Sequence, residues 1–185
     1  MTTLGIVSDT HVNLGGKRQL APQLFEVLQG VDLILHAGDL NTLRVVTDLE
    51  ALAPVYAVHG NNEDWEAAQL PRTRIIEVEG CRIGLAHGDM GVREDLVLFK
   101  GVGGALSSWS AAAALSHFED APIDCLVFGH SHWPLIHPHI RPSDGRSILL
   151  FNPGSAGKKR KAPHHSCGLL RINGTQLDAK LVTWD

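Results

Sequence analysis

Apolar and polar positions alternate in blocks along the first sixty residues. Leu4 to Val7 is a short apolar run of strand type. Gln19 to Leu28 places Leu20, Leu24, Phe25 and Leu28 on one face at helical spacing. Leu33 to Leu35 is a second strand run, Leu43 to Leu52 a second helical one, and Val55 to Val58 a third strand. Strand, helix, strand, helix, strand predicts parallel pairing with helical crossovers.

The second half reads differently. Arg74 to Val78 and Arg82 to Ala86 predict paired strands joined around Glu79-Gly80. Gly91 to Gly104 is irregular and Gly-rich, and Ser107 to Phe118 is an Ala-rich helix. Cys125 to Phe128 is a buried strand. Ser147 to Phe151, Cys167 to Ile172 and Leu177 to Thr183 complete an expected, mostly antiparallel set, with Asn173-Gly174 as a hairpin signal. Nothing resembling a linker, repeat or low-complexity tract divides the chain, so residues 1–185 are expected to form one domain.

Five of the strand-like runs stop on metal-ligand residue types. The stops are Ser8-Asp9-Thr10-His11, Gly38-Asp39, Gly60-Asn61-Asn62-Glu63, His87-Gly88-Asp89 and Gly129-His130-Ser131-His132. Packing alone would not repeatedly select Asp, Asn and His there. Side chains two apart on an extended backbone point the same way, so Asp9 with His11, and His130 with His132, are expected to face one point. In an open parallel sheet, sites form beyond the carboxyl ends of the strands, where Asp9, Asp39, Asn61 and His130 fall. His87 ends a strand of the second half in the same manner.

Asp9, His11, Asp39, Asn61, His87, His130 and His132 make seven candidate ligands. One tetrahedral zinc uses about four, so seven suit two metals sharing a carboxylate. Asp39 is the expected bridge, being isolated on its own loop between the other ligands in chain order. Mixed imidazole, carboxylate and amide donors favour Mn, Fe, Zn, Co or Ni over Ca or Mg. Two divalent ions against two carboxylates leave net positive charge. Such a centre would bind an anionic ester and lower the pKa of a bridging water, and phosphate ester hydrolysis is the reaction it suits best.

Composition narrows the class without naming the chemistry. The hydrophobic fraction of 44% and charged fraction of 19% are those of a soluble globular chain. A net charge of −4 gives no strong nucleic-acid-binding signal. Cys81, Cys125 and Cys167 are too few and too scattered for a disulfide framework or a thiolate zinc site. No apolar stretch approaches the ~20 residues of a membrane span. The absence of a basic leader before Leu4 adds to the expectation of a cytoplasmic protein.

The ordered series Asp9-x-His11, Gly38-Asp39, Gly60-Asn61, His87-Gly88 and Gly129-His130-x-His132 resembles the calcineurin-like metallophosphoesterase superfamily. With Asn152-Pro153-Gly154-Ser155, it resembles the small single-domain branch of YfcE-type phosphodiesterases and VPS29-like proteins. The resemblance implies an α/β fold: a four-layer β-sandwich of mixed sheets flanked by α-helices. It implies two divalent transition-metal ions, manganese first. One would take Asp9, His11, Asp39 and His132; the other Asp39, Asn61, His87 and His130. The implied reaction is hydrolysis of a phosphate ester, a diester by preference, by a metal-bridging hydroxide. The substrate is the expected partner, and a homo-oligomer is compatible with the sequence. The alternative implied by the same branch is a VPS29-like interaction scaffold with weak or no catalysis. A protein phosphatase or diadenosine tetraphosphatase ranks lower.

One motif departs from the pattern. Many phosphatases of the superfamily carry His after the Asn of the third motif, and that His assists the transition state or the leaving group. Here the position is Asn62, a weak catalytic candidate, because an amide donates a hydrogen bond but is no general acid.

The remaining polar residues read as structural. His36 and His59 are expected in the core or behind the ligands, with Asp89 and Glu63 as acceptors or turn residues. His137, His139, His164 and His165 read as loop histidines rather than a second metal site. Lys158-Lys159-Arg160-Lys161 reads as a solvated run ahead of a phosphate grip, and Trp65 and Trp133 as packing residues ahead of stacking platforms. Gly101-Val102-Gly103-Gly104 lacks the context of a nucleotide-binding loop and reads as a flexible loop.

Overall fold

The computed structural model describes the chain apart from residues 14, 16, 17 and 90–103 and the side chains of 104 and 105. The Gly-rich stretch from Gly91 therefore lies outside the described residues up to position 103.

The first half folds as its pattern predicts. Strands β1 (Thr2–Val7), β2 (Leu33–His36) and β3 (Val55–Ala57) pair in parallel, with Leu4 opposite Leu33 and Ile34 opposite Val55. Helices α1 (Pro22–Leu28) and α2 (Arg44–Glu50) make the crossovers. Pro22 fixes the start of α1 three residues later than the periodicity suggests, since its ring is pre-set for the first helical position.

The second sheet holds β4 (Thr73–Val78), β5 (Cys81–Ala86), β6 (Cys125–Val127), β7 (Leu135–Ile140) and β8 (Ser147–Asn152), in the order β4-β5-β6-β8-β7. Helix α3 (Gly104–Ser116) precedes β6. The set is mostly antiparallel, as expected: β8 runs antiparallel to β7, and its only parallel neighbour is β6. One expectation, the place of the last two strands, is corrected. The closing hairpin, β9 (His165–Asn173) and β10 (Gln176–Trp184), joins the first sheet, with β9 antiparallel to β1. The reason is two-faced burial. Leu170 and Ile172 of β9 join the cluster between the sheets, while Cys167 joins the cluster under the first two helices. A strand apolar on both faces needs a covered place, which the free edge of β1 provides.

β7 has no counterpart among the expected strands. Its sequence, Leu-Ile-His-Pro-His-Ile, carries Pro138, and the strand lies at the edge of its sheet, where a missing N–H does little harm.

Three apolar clusters separate four layers. Leu4, Ile6, Leu35, Ile83, Leu85, Val127 and Phe151 fill the space between the sheets. Leu24, Leu28, Ile34, Val45 and Leu49 bind α1 and α2 to the first sheet. Ala111, Ala114, Phe118, Leu126, Phe128 and Leu150 bind α3 to the second. The result is a helix, sheet, sheet, helix sandwich. The loops leaving β1, β2 and β3, and those leaving β5 and β6, carry the candidate ligands.

Candidate metal centre

The strands hand their register on to the loops. Asp9 N–H donates to the Gly38 carbonyl and His11 N–H to the Asp39 carbonyl, each at 3.0 Å, so the β1 and β2 loops stay zipped past the sheet. Gly129 N–H donates to the His87 carbonyl at 3.0 Å and does the same for the β5 and β6 loops. Ala156 N–H reaches the Ser8 carbonyl at 3.2 Å and joins the two halves.

The expected extended geometry of the ligand pairs is corrected. Asp9, His11, Asp39, His130 and His132 all take positive φ, between 48° and 65°, as does Asn41 at 72°. Both members of each Asp-x-His or His-x-His pair are left-handed, so side chains converge by a tight coil of the loop and not by strand pleat. Left-handed backbone is uncommon outside glycine and gathers where function over-determines the fold. Two glycines make the close approach possible. At Gly38, φ is 90°, and a Cβ would lie 2.8 Å from His87 Nδ1. At Gly60, a Cβ would lie 2.3 Å from Asp39 Oδ1.

The seven candidates meet at one place. Ligand atoms of Asp9, His11, Asp39 and His132, all buried, lie within 4.8 Å of one another. His132 Nε2 is 3.1 Å from Asp9 Oδ1, and His11 Nε2 is 3.6 Å from Asp39 Oδ2. His87 Nε2 is 3.3 Å from Asp39 Oδ1. His130 stands edge-on to His87 with ring centroids 5.2 Å apart. Its Nδ1 lies 3.1 Å from Asn61 Oδ1, and its backbone N–H donates to Asp9 Oδ2 at 3.1 Å.

Three of the imidazoles share one arrangement. His87 Nδ1–H donates to the Ala37 carbonyl at 2.7 Å, His132 Nδ1–H donates to the Lys158 carbonyl, and His11 Nδ1–H donates to Asn41 Oδ1 at 3.0 Å. A carbonyl can only accept, so Nδ1 keeps a proton, each Nε2 faces the centre, and it is Nε2 that offers a lone pair when the ring is neutral. His11 Nε2 and His132 Nε2 face each other at 3.3 Å, with the rings stacked. Asp9 Oδ1 and His87 Nε2 are buried with no hydrogen-bond partner of proper geometry. Buried polar atoms are rarely left in this state. Converging imidazole Nε2 atoms and carboxylate oxygens, two of them orphaned, are what a pair of cations would satisfy, and the residues present fit such ions.

The charge balance without metal is lopsided. Burial alone would lower the pKa of His87, but the carboxylates of Asp39 and Asp9 outweigh it and raise it to about 9. Burial opposes ionisation of Asp39, yet His87, Asn62 and His11 hold its carboxyl well below the usual range. Burial lowers His11 and His130, the latter helped by the neighbouring His87. His36, fully buried, is pushed down to about 3. It is not a ligand but a brace: its Nε2 lies 3.2 Å from Thr10 Oγ1, and its Nδ1 accepts the Gly38 N–H at 3.2 Å.

Asn62 does not point outward as a proton donor would. Its backbone N–H donates to Asp39 Oδ1 at 2.9 Å and its amide to Asp39 Oδ2 at 2.8 Å. It clamps the central carboxylate. Glu63 accepts three backbone N–H groups, from Leu40 at 3.2 Å, Asn41 at 2.6 Å and Gly60 at 2.9 Å. Asp89 instead meets Arg72, at 3.8 Å.

Several participants were not singled out by the sequence. Asn41 orients His11, and its only advance signal is its place two residues after Asp39. The carbonyls of Ala37 and Lys158 carry none. Asn152-Pro153-Gly154-Ser155 was visible but had no role. Ser155 Oγ donates to the Asp9 carbonyl and accepts the Lys158 N–H, both at 2.8 Å, while Asn152 Nδ2 donates to the Gly129 carbonyl at 2.9 Å. The motif therefore pins the first ligand loop to the last.

The other histidines stay apart. His164 pairs with Asp185 at 2.6 Å, and His165 stacks on Trp184. Among the described residues no second group of His, Cys, Asp and Glu converges. Trp133 is half-buried, but the packing expected of Trp65 fails, since it is 81% exposed. The described helices include none long and apolar enough to cross a membrane.

The chain is similar to known proteins over nearly its whole length. A family model described as the calcineurin-like phosphoesterase superfamily domain matches residues 2–175. A probable metallophosphoesterase of Methanothermobacter thermautotrophicus is 34% identical over 179 residues, covering 97% of this chain and 91% of that protein. Another from Methanocaldococcus jannaschii is 33% identical over 180 residues, covering 97% of this chain and 80% of that protein. Among solved structures, a single mutant of Vps29 from Entamoeba histolytica superposes with a TM-score of 0.65 at 24% identity, over the full length of both chains. The strand-end ligand loops, the four-layer sandwich and these relatives agree: the chain belongs to the calcineurin-like phosphoesterase superfamily.

Proposed function

We propose that this protein is a dinuclear metal-dependent phosphodiesterase. Asp9, His11, Asp39 and His132 would hold one ion, and Asn61, His87 and His130 the other, with Asp39 shared. When bound, divalent ions would supply Lewis acidity, making a water nucleophilic near neutral pH and offsetting charge on the phosphoryl oxygens. The donor set of imidazole, carboxylate and amide favours a transition metal, manganese first.

The chain's own part is preorganisation. Nδ1 hydrogen bonds hold three imidazoles in the tautomer and orientation a metal needs. Asn62 and Ser8 hold the carboxylates, Ser8 Oγ donating to Asp9 Oδ2 at 2.7 Å. With Asn62 committed to Asp39, no side chain of the third motif is free to protonate a leaving group. This favours diesters whose leaving group departs as a stable anion.

The observation that carries the reading is the inward convergence of imidazole Nε2 atoms on two buried carboxylates. It predicts about two equivalents of manganese per chain after chelation and reconstitution, and turnover of bis-p-nitrophenyl phosphate in preference to p-nitrophenyl phosphate. Asp39→Asn should lose most bound metal and at least ~100-fold in kcat. An Asp39→Asn protein with full metal content and full turnover would falsify the dinuclear reading. The scaffold alternative draws on the shared Vps29 fold alone, and failure to hydrolyse either ester with Mn, Zn, Co or Ni would favour it.

A further inference from the structure

His130 and His132 serve different ions in the proposed centre, yet they flank a single residue. Both take left-handed backbone, at φ 65° and 61°. Residues other than glycine stay in that region only where their surroundings over-determine it. The two ends of the segment are held by bonds to other loops: His130 N–H reaches Asp9 Oδ2, and His132 Nδ1 meets the Lys158 carbonyl. The middle is held by Ser131.

Ser131 is half-buried and fully bonded. Its N–H donates to the Gly129 carbonyl at 2.8 Å. Its Oγ accepts the Trp133 N–H at 3.3 Å and one hydrogen of the Asn152 amide at 3.1 Å. The other hydrogen of that amide goes to the Gly129 carbonyl at 2.9 Å, and Asn152 Oδ1 accepts the Gly154 N–H at 2.8 Å. Asn152 is fully buried at the end of β8, so the donor is itself fixed. A hydroxyl has one proton and two lone pairs. Two N–H groups fill the lone pairs of Ser131, and the third contact, with Ser107 Oγ at 3.3 Å, uses the proton. Ser107 lies on α3, is fully buried and makes no other side-chain hydrogen bond among the described residues. One hydroxyl thus ties the ligand loop after β6 to both β8 and α3.

A serine that merely turns the chain would look different. Serine hydroxyls bond the backbone two residues on in ordinary turns, which accounts for the Trp133 contact. It does not account for Asn152 and Ser107, which come from elements 21 and 24 residues away in the chain.

We infer that Ser131 is a positioning residue for both ions: its hydroxyl, set by Asn152 and Ser107, fixes His130 and His132 relative to each other and so the spacing of the two metal sites. Ser131 itself ligates nothing. The inference rests on the dinuclear reading and deepens it.

The test is a metal titration of chelated protein, which needs no turnover. Calorimetry with Mn reads the two binding steps, and the visible absorption of Co-loaded protein reports ligand geometry. Ser131→Ala should weaken both steps by roughly 10- to 100-fold, as loss of a partner behind a metal ligand does, and change the Co spectrum. Ser131→Thr, which keeps the hydroxyl, should restore both. Ser107→Ala should move both steps the same way by a smaller factor. Asn41→Gly removes a partner of His11 alone among the ligands and should weaken one step only. A merely structural serine would lower the Tm of the chelated protein and leave the two steps and the spectrum unchanged. That result overturns the inference, as does a loss confined to one step or a loss that Ser131→Thr fails to restore. If Ser131→Ala does not fold, unchanged steps in Ser107→Ala overturn it instead. If the wild type binds two ions and Ser131→Ala binds them equally well, only this inference falls. If the wild type takes up fewer than two ions, the dinuclear reading falls and this inference with it.

Discussion

His36 and His87 sit within one network, yet their protons are pushed in opposite directions. Burial takes His36 down to about 3, while the carboxylates overcome burial at His87 and take it up to about 9. In the metal-free protein these shifts set the pH dependence of stability. Between about 3 and 6.5 an unfolded chain protonates His36 and the native one does not, so stability falls on acidification by about 1.4 kcal/mol per pH unit from this group. Between 6.5 and about 9 the native chain holds the His87 proton that the unfolded chain has released, so stability falls as pH rises. EDTA-treated protein should therefore be most stable near pH 6.5, with urea midpoints declining on both sides. His87→Gln should flatten the alkaline limb and leave the acid limb in place. A midpoint that climbs steadily from pH 6.5 to 9 would contradict the pairing of His87 with Asp39.

Glu63 shows how elements, and not only residues, are positioned. Its carboxylate gathers the loop after β2 and the loop after β3 through three backbone N–H groups. The amide of Glu63→Gln has one acceptor oxygen where the carboxylate has two, so at least one of those bonds is lost, at about 1–3 kcal/mol for a charged acceptor in a half-buried place. The expected outcome is a folded protein with weakened metal retention, read as a lower metal-to-protein ratio after dialysis, and a Tm lowered by a few degrees. Unchanged metal retention would reduce Glu63 to a turn residue. At this same scale the limits of the sequence are visible. The β1 to β3 units were legible because helical and strand periodicity alternate cleanly, and the ligand loops because Asp, Asn and His recur at strand ends. β7 was not, since Pro138 breaks a strand pattern that only an edge tolerates. The place of β9 was not, because pairing with β1 across some 160 residues leaves no local mark. The carbonyls of Ala37 and Lys158 were not, because every residue has one.

Across the whole molecule, the centre is also a seam. Asp9, His11, Asp39 and Asn61 hang from strands of the first sheet, while His87, His130 and His132 hang from the second. Between the sheets lies the apolar cluster around Leu4, Leu85 and Phe151. Ions held by both sets of loops would tie the sheets together and relieve the orphaned Asp9 Oδ1 and His87 Nε2. Ligands that bind only the native state stabilise it by mass action, by about 2.7 kcal/mol at a free concentration 100 times Kd. For a chain of this length that corresponds to a Tm increase of roughly 5–10 °C. Calorimetric scans with and without Mn should show it, and Asp39→Asn should show little of it. The gain should also depend on pH. A metal needs His87 neutral, so binding releases a proton below about pH 9, and the Mn-induced rise in Tm should be larger at pH 8 than at pH 6. A shift that is the same at both values, or that persists in Asp39→Asn, would place the stabilising ion somewhere other than the junction of the two sheets.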